Sequence, residues 1–140
     1  RSRSAAVVRA SRLALDEGVY YAHFLILGGY GDTRENVRET IENSQRMEYT
    51  VMFPYAGMRI YPHTRLAELA AKEGAIGRDD DLMAPSYYIS RDFDLEEVRR
   101  AALATGKAWV FPDDPQSALA DTLRLKRNKK GPLWEYLRKP

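Results

Sequence analysis

The chain has 140 residues, 44% hydrophobic and 30% charged, with 22 Lys+Arg against 20 Asp+Glu. That is enough apolar material for one core of ordinary domain size, and the charge balance excludes a disordered polyelectrolyte. No cysteine is present, which excludes disulfides, thiolate zinc sites, iron–sulfur ligation and a catalytic thiol within these residues, and the only histidines are His23 and His63.

No apolar run approaches the ~18 residues that span a bilayer. The first residues are charged at intervals, unlike a secretion signal. The expectation is an α/β chain in the cytoplasm with no membrane partner.

In chain order, residues 4–17 form a helix pattern that Gly18 stops. Residues 19–27 predict a strand. They are apolar at nearly every position except His23, the pattern of a parallel strand covered on both faces. Gly28-Gly29-Tyr30-Gly31-Asp32-Thr33 then turns into a helix with Val37 and Ile41 inward, running to about Met47. Asp32 with Glu35 has the spacing of a capping box.

A second strand is expected over residues 49–53, continuing through Pro54 and Gly57 into Met58-Arg59-Ile60-Tyr61. A helix over 64–73 follows, stopped by Gly74. Strand and helix alternate here as in βαβ units. Residues 75–91 predict a loop, Asp94 opens a helix to Thr105, and Asp114-Pro115 opens another.

The expected division is therefore 1–75, the α/β part, and 76–140, a loop and a mostly helical C-terminal region. Two strands cannot complete a covered parallel sheet, and a closed (β/α) barrel needs roughly 200 residues or more. The pattern therefore points to part of a larger sheet, with the missing strands expected ahead of Arg1.

Parallel strands present ligand sites in the loops after their carboxyl ends. That rule selects residues 28–33 and 59–64. Three glycines in the first loop allow close approach of backbone to a ligand, and a tight strand-to-helix turn needs glycines in any case. The Lys-Ser/Thr of a P-loop and the G-x-G-x-x-G spacing of a dinucleotide fold are both missing. In the second loop, Arg59 ends an apolar strand and calls for an anionic partner, either a protein carboxylate or a ligand. His63 is a general-base candidate or a plain loop residue, and Tyr30 and Tyr61 either stack on a ring or pack.

The stretch from His23 through Gly28-Gly29-Tyr30-Gly31-Asp32-Thr33 to Glu39-Thr40-Ile41 resembles the G-x-P-G-E-T-x-E-x-x-x-E-T segment of radical S-adenosylmethionine enzymes. Met58-Arg59-Ile60-Tyr61-Pro62-His63-Thr64-Arg65-Leu66, with Ala70 and Glu73-Gly74, resembles their R-I-Y-P-G-T-x-L…A…E-G segment, in the same order and separation. Residues 81–88 resemble the D-L-x-x-P-x-Y-Y region of members with an N-terminal cobalamin-binding domain, the lipid-biosynthesis type and relatives of the magnesium-protoporphyrin ester oxidative cyclase. Tyr30, Asp32 and His63 stand where many members have Pro, Glu and Gly.

The resemblance implies the last βα units of a partial TIM-type barrel over residues 1–75, in a radical oxidoreductase or methyltransferase acting on a small molecule. It implies S-adenosylmethionine and a 4Fe–4S cluster in the parent protein, with cobalamin where that domain is present. Gly28, Gly29, Gly31, Arg59, Ile60 and Tyr61 would wall the cofactor, and Tyr30 and His63 would face the substrate. The cluster-binding C-x-x-x-C-x-x-C is not among these residues, so no catalytic or metal residue and no bound cofactor is expected here, and this fragment alone would be inactive. An open sheet edge would favour self-association.

A second reading is a small α/β binding module. Residues 124–139 carry seven basic side chains and one acid, leaving 15 basic and 19 acidic elsewhere. Such a tail, with Trp134 and Tyr136 interleaved, can meet nucleic acid or another anion. A solvated C-terminal helix docked through Leu133, Trp134 and Leu137 is the favoured account of the tail, and nucleic acid is the less favoured partner.

Overall fold

A computed structural model describes residues 3–112, 114, 131–138 and 140. The first helix, α1 (Arg3–Asp16), ends at Gly18, and strand β1 (His23–Leu27) follows. Helix α2 (Arg34–Ser44) leads to β2 (Val51–Ala56), then to the short strand β3 (Met58–Ile60) and to α3 (Arg65–Lys72). Strand β4 (Ser86–Tyr88), helix α4 (Leu95–Ala104) and strand β5 (Ala108–Trp109) complete the regular elements ahead of a 3₁₀ turn over Leu133–Leu137. The helix expected from Asp114-Pro115 and most of the basic tail lie outside the described residues.

The main sheet has the order β1-β2-β5, all parallel, with His23 beside Met52 and Met52 beside Trp109. Residues that share a register row point to the same face, so Leu25, Leu27, Met52 and Trp109 face one way. Val37 and Ile41 of α2 and Val98 and Ala102 of α4 pack on that face, and they form one buried cluster with Leu27, Met52, Trp109 and Phe111. α2, which links β1 to β2, and α4, which precedes β5, thus lie on the same side of the main sheet. A second cluster joins Ile60, Ala70, Leu82 and Tyr88 under the antiparallel β3–β4 pair.

Several expectations change. The first strand is not buried on both faces: Phe24 is 69% and Ile26 60% exposed. Continuous apolarity reports compatibility with burial, and among the described residues no layer covers that end of the second face. Val51, on the same face at the amino end of β2, is fully buried, and the turn Leu133–Leu137 packs against β2. The open face is therefore closed at its amino end and exposed towards Tyr55.

The apolar run around residue 57 is two strands, not one. Gly57 turns with φ +77, and a side chain there would run into the Tyr88 carbonyl, so β3 leaves the main sheet and pairs with β4 instead.

Strand pairing also crosses the expected division at residue 75. β4 lies inside the expected loop, and β5 lies in the region expected to be mostly helical. Each is only two or three residues long, too short for a periodic signal, and each is stabilised by a partner far back in the chain.

The cap of α2 is Thr33, not Asp32. Its hydroxyl accepts from Asn36 N. The expected start of α4 is present, with Asp94 accepting from Glu96 N and Glu97 N, and α3 is capped by Thr64, which accepts from Ala67 N.

Candidate functional site

The carboxyl ends of β1 and β2 are tied together by Gly57 N donating to Leu27 O at 2.7 Å. Directly beyond, the chain folds into a turn in which Asp32 N donates to Gly29 O and Gly29 N donates to the Asp32 carboxylate, both at 3.1 Å. Asp32 is thus spent inside the loop, which explains why Thr33 takes the cap. The segment after β4 holds the turn from outside: Ser90 N donates to Gly28 O at 2.8 Å, and its hydroxyl donates to Asp32 O at 3.1 Å.

Two of the glycines have an intramolecular reason. Gly28 sits at φ +75 with the Phe93 ring where a Cβ would stand, and a Cβ on Gly29 would meet the Met58 side chain. A side chain at Gly31 would meet only open space. Tyr30, half exposed at the tip, places its ring edge-on to Tyr88 with centroids 5.7 Å apart. The Tyr88 hydroxyl donates to Glu73 Oε2 at 2.7 Å, and this bond to a carboxylate holds the phenol's pKa above its ordinary value.

In the second loop, strand alternation separates the expected residues. Arg59 and Tyr61 project to the open side, with the guanidinium 4.9 Å from the Tyr61 ring centre. Among the described residues no carboxylate pairs with Arg59; the ring takes the place of the expected anion. Ile60 is 1% exposed and packs with Ala70, Leu82 and Tyr88, so its side chain is core rather than cofactor wall. His63 is exposed at φ +60, and Thr64 closes the loop by donating to Tyr61 O at 2.7 Å.

The glycine loop meets the β3–β4 pair through Met58 and Tyr88, which lie outside the second expected loop, residues 59–64. Neither Met58 nor Tyr88 was singled out as a site residue. The Tyr87-Tyr88 pair was the available signal, and what hid its role was the antiparallel pairing of β4 with β3. Also unforeseen is a cleft of about 430 Å³, including its mouth, between the amino ends of α2 and α4, lined by Val37, Ile41, Phe93, Val98 and Ala101 among others. Arg34 and Glu97, which also line it, form an ion pair at 3.1 Å.

Away from these loops, His23 anchors β1 to α1. The Ser11 hydroxyl donates to Val7 O at 3.0 Å, so its oxygen is left to accept from His23 Nε2 at 3.1 Å, which assigns the neutral ring its Nε2–H tautomer. Burial holds the His23 pKa below its ordinary value.

Among the described residues, no group of three or more His, Cys, Asp or Glu side chains is placed to hold a metal ion, and no helix is long and apolar enough to cross a membrane. Comparison with known protein families, with curated proteins and with solved structures finds no match to this chain.

Proposed function

We propose that this chain is the C-terminal part of a radical S-adenosylmethionine enzyme, an oxidoreductase or methyltransferase of the cobalamin-domain group, comprising the last βα units of a partial TIM-type barrel. The observation that carries the reading is the winding. Three parallel strands run in the order β1-β2-β5 with α2 and α4 packed on one face, an arrangement that suits a barrel wall and equally one half of a doubly wound sheet. The opposite face, bearing Phe24, Ile26 and Tyr55, is exposed as a lumen face would be without the remaining strands. The glycine loop that carries the first half of the resemblance stands at the carboxyl end of β1, and the segment that carries the second half starts in β3.

The residues present do not fit the iron–sulfur cluster. With no cysteine in the chain and no metal-holding group among the described residues, its ligands must come from elsewhere in the parent protein, and no step is assigned through it. For the nucleoside the fit is partial. Gly28 and Gly29 are filled by Phe93 and Met58, whereas the open side of Gly31, the exposed Tyr30 ring and the Arg59–Tyr61 pair can wall a planar or anionic group. The cluster, S-adenosylmethionine and, where present, cobalamin supply the radical chemistry. This chain positions Tyr30 through Tyr88 and Glu73. The small-molecule substrate and the cytoplasmic location belong to the same proposal.

The test is to sequence the reading frame ahead of Arg1 and purify its full product without oxygen. A C-x-x-x-C-x-x-C upstream, with cluster absorbance and cleavage of S-adenosylmethionine by the reduced protein, is the expected result. A frame without those cysteines overturns the reading.

A further inference from the structure

The edge of the main sheet carries an interaction surface. β1 has β2 on one side and, among the described residues, no strand on the other. Leu27 O faces β2, where it accepts from Gly57 N. In a parallel strand the N–H and C=O of one residue point the same way and alternate along the chain, so His23, Leu25 and Leu27 face β2. Phe24 and Ile26 therefore turn their backbone N–H and C=O groups to the free edge.

Natural edges are blunted by Lys, Pro, a bulge or an inward charge. His-Phe-Leu-Ile-Leu has none of these. The side chains of Phe24 and Ile26 are also exposed, beside Phe53 and Tyr55 of β2, with the Phe24 and Phe53 rings stacked at 5.1 Å.

We propose that two copies of this chain pair antiparallel along β1 about a two-fold axis at Leu25, joining their three-stranded sheets into one. The sequence of the edge is complementary to itself in this register. Phe24 falls opposite Ile26 of the other copy, an aromatic on a β-branched side chain, and exchanges both backbone hydrogen bonds with it. Across the junction each row then reads Tyr55, Ile26, Phe24, Phe53, so the two exposed apolar patches become continuous. No charged side chain of β1 meets another. The two-fold places the same residues on both sides and closes the assembly at two copies. The pairing competes with the barrel reading for one edge, since strands upstream in a longer protein would take it; it therefore applies to this 140-residue chain, and the cysteine motif tests the barrel reading separately.

The absence of cysteine makes the register directly measurable in this 140-residue chain. At the axis, Leu25 meets its own copy in a non-hydrogen-bonded pair with Cα atoms about 4.5 Å apart, within disulfide reach. The two copies of Phe24 lie about 8–9 Å apart, beyond it. The Leu25→Cys variant should give a covalent dimer on mild oxidation, and Phe24→Cys should not.

Light scattering coupled to gel filtration over a concentration series should show a monomer–dimer equilibrium for the parent chain. Ile26→Lys should weaken that equilibrium roughly tenfold or more while its circular dichroism stays unchanged, and this arm stands even where Leu25→Cys folds poorly. A monomer at every concentration, a ladder of larger species, or equal cross-linking at both positions overturns the proposal.

Discussion

At Gly28 two constraints coincide: a left-handed backbone (φ +75) and the Phe93 ring in the space of a Cβ. Gly28→Ala should therefore combine a left-handed strain of about 1–2 kcal/mol with an overpacking cost of about 1–3 kcal/mol. Gly31→Ala, with φ +83 but open space, should show only the first. Denaturant melts of both variants check the difference, and Phe93→Leu should recover part of the Gly28→Ala loss.

His23 makes stability pH-dependent in a definite direction. Its folded pKa lies below the ordinary value near 6.5, so on acidification the unfolded chain takes up the proton first, and stability falls as pH drops from about 6.5 towards the folded value. Melts at successive pH values should show that loss in the parent chain and a smaller one in His23→Gln.

At the scale of elements, α2, α3 and α4 are started by side-chain caps, and α1, α3 and α4 are stopped by glycines. Asp94 accepts two backbone N–H bonds at 2.9 and 3.0 Å, and Asp94→Ala should cost about 1 kcal/mol, read as a lowered melting midpoint. Asp94→Ser should restore most of it. Those caps were legible because a cap and the N–H groups it serves lie within three residues of each other. Asp32 shows the limit of that reasoning. Its spacing to Glu35 suits a cap, yet its carboxylate closes the glycine turn instead, and Thr33 one residue on takes the helix. Strands β4 and β5 were not legible, because nothing in two or three residues distinguishes a strand from a loop until a distant partner is known.

For the whole molecule, the informative contrast lies within one sheet face. Val51 and Ile26 are both β-branched and occupy the face away from α2 and α4, but the first is fully buried and the second 60% exposed. Val51→Ala should cost about 2–3 kcal/mol, whereas Ile26→Lys should change the stability of the monomer by less than about 0.5 kcal/mol. Urea melts at low protein concentration, where association does not contribute, measure both.

The same sheet sets which parts of the candidate site are legible in the sequence. The glycine loop at the carboxyl end of β1 was identifiable from strand polarity alone, whereas the loop over 59–64 follows β3, which has left the main sheet. Which side chains meet was not identifiable, because strand alternation turns Ile60 into the core and brings Met58 and Tyr88 to the glycine turn.

Taken by itself, the sequence determined helices α1 to α4, the Asp94 cap, the glycine stops of α1, α3 and α4, the parallel β1–α2–β2 unit and the glycine loop after β1. These depend on short-range periodicity and on hydrogen bonds spanning a few residues. Only the tertiary structure decided that Gly57 sends the chain into a second sheet, that β5 joins the first, and that one face of β1 stays open. Each of these depends on what lies opposite a residue, and segments far apart in the chain supply that neighbour.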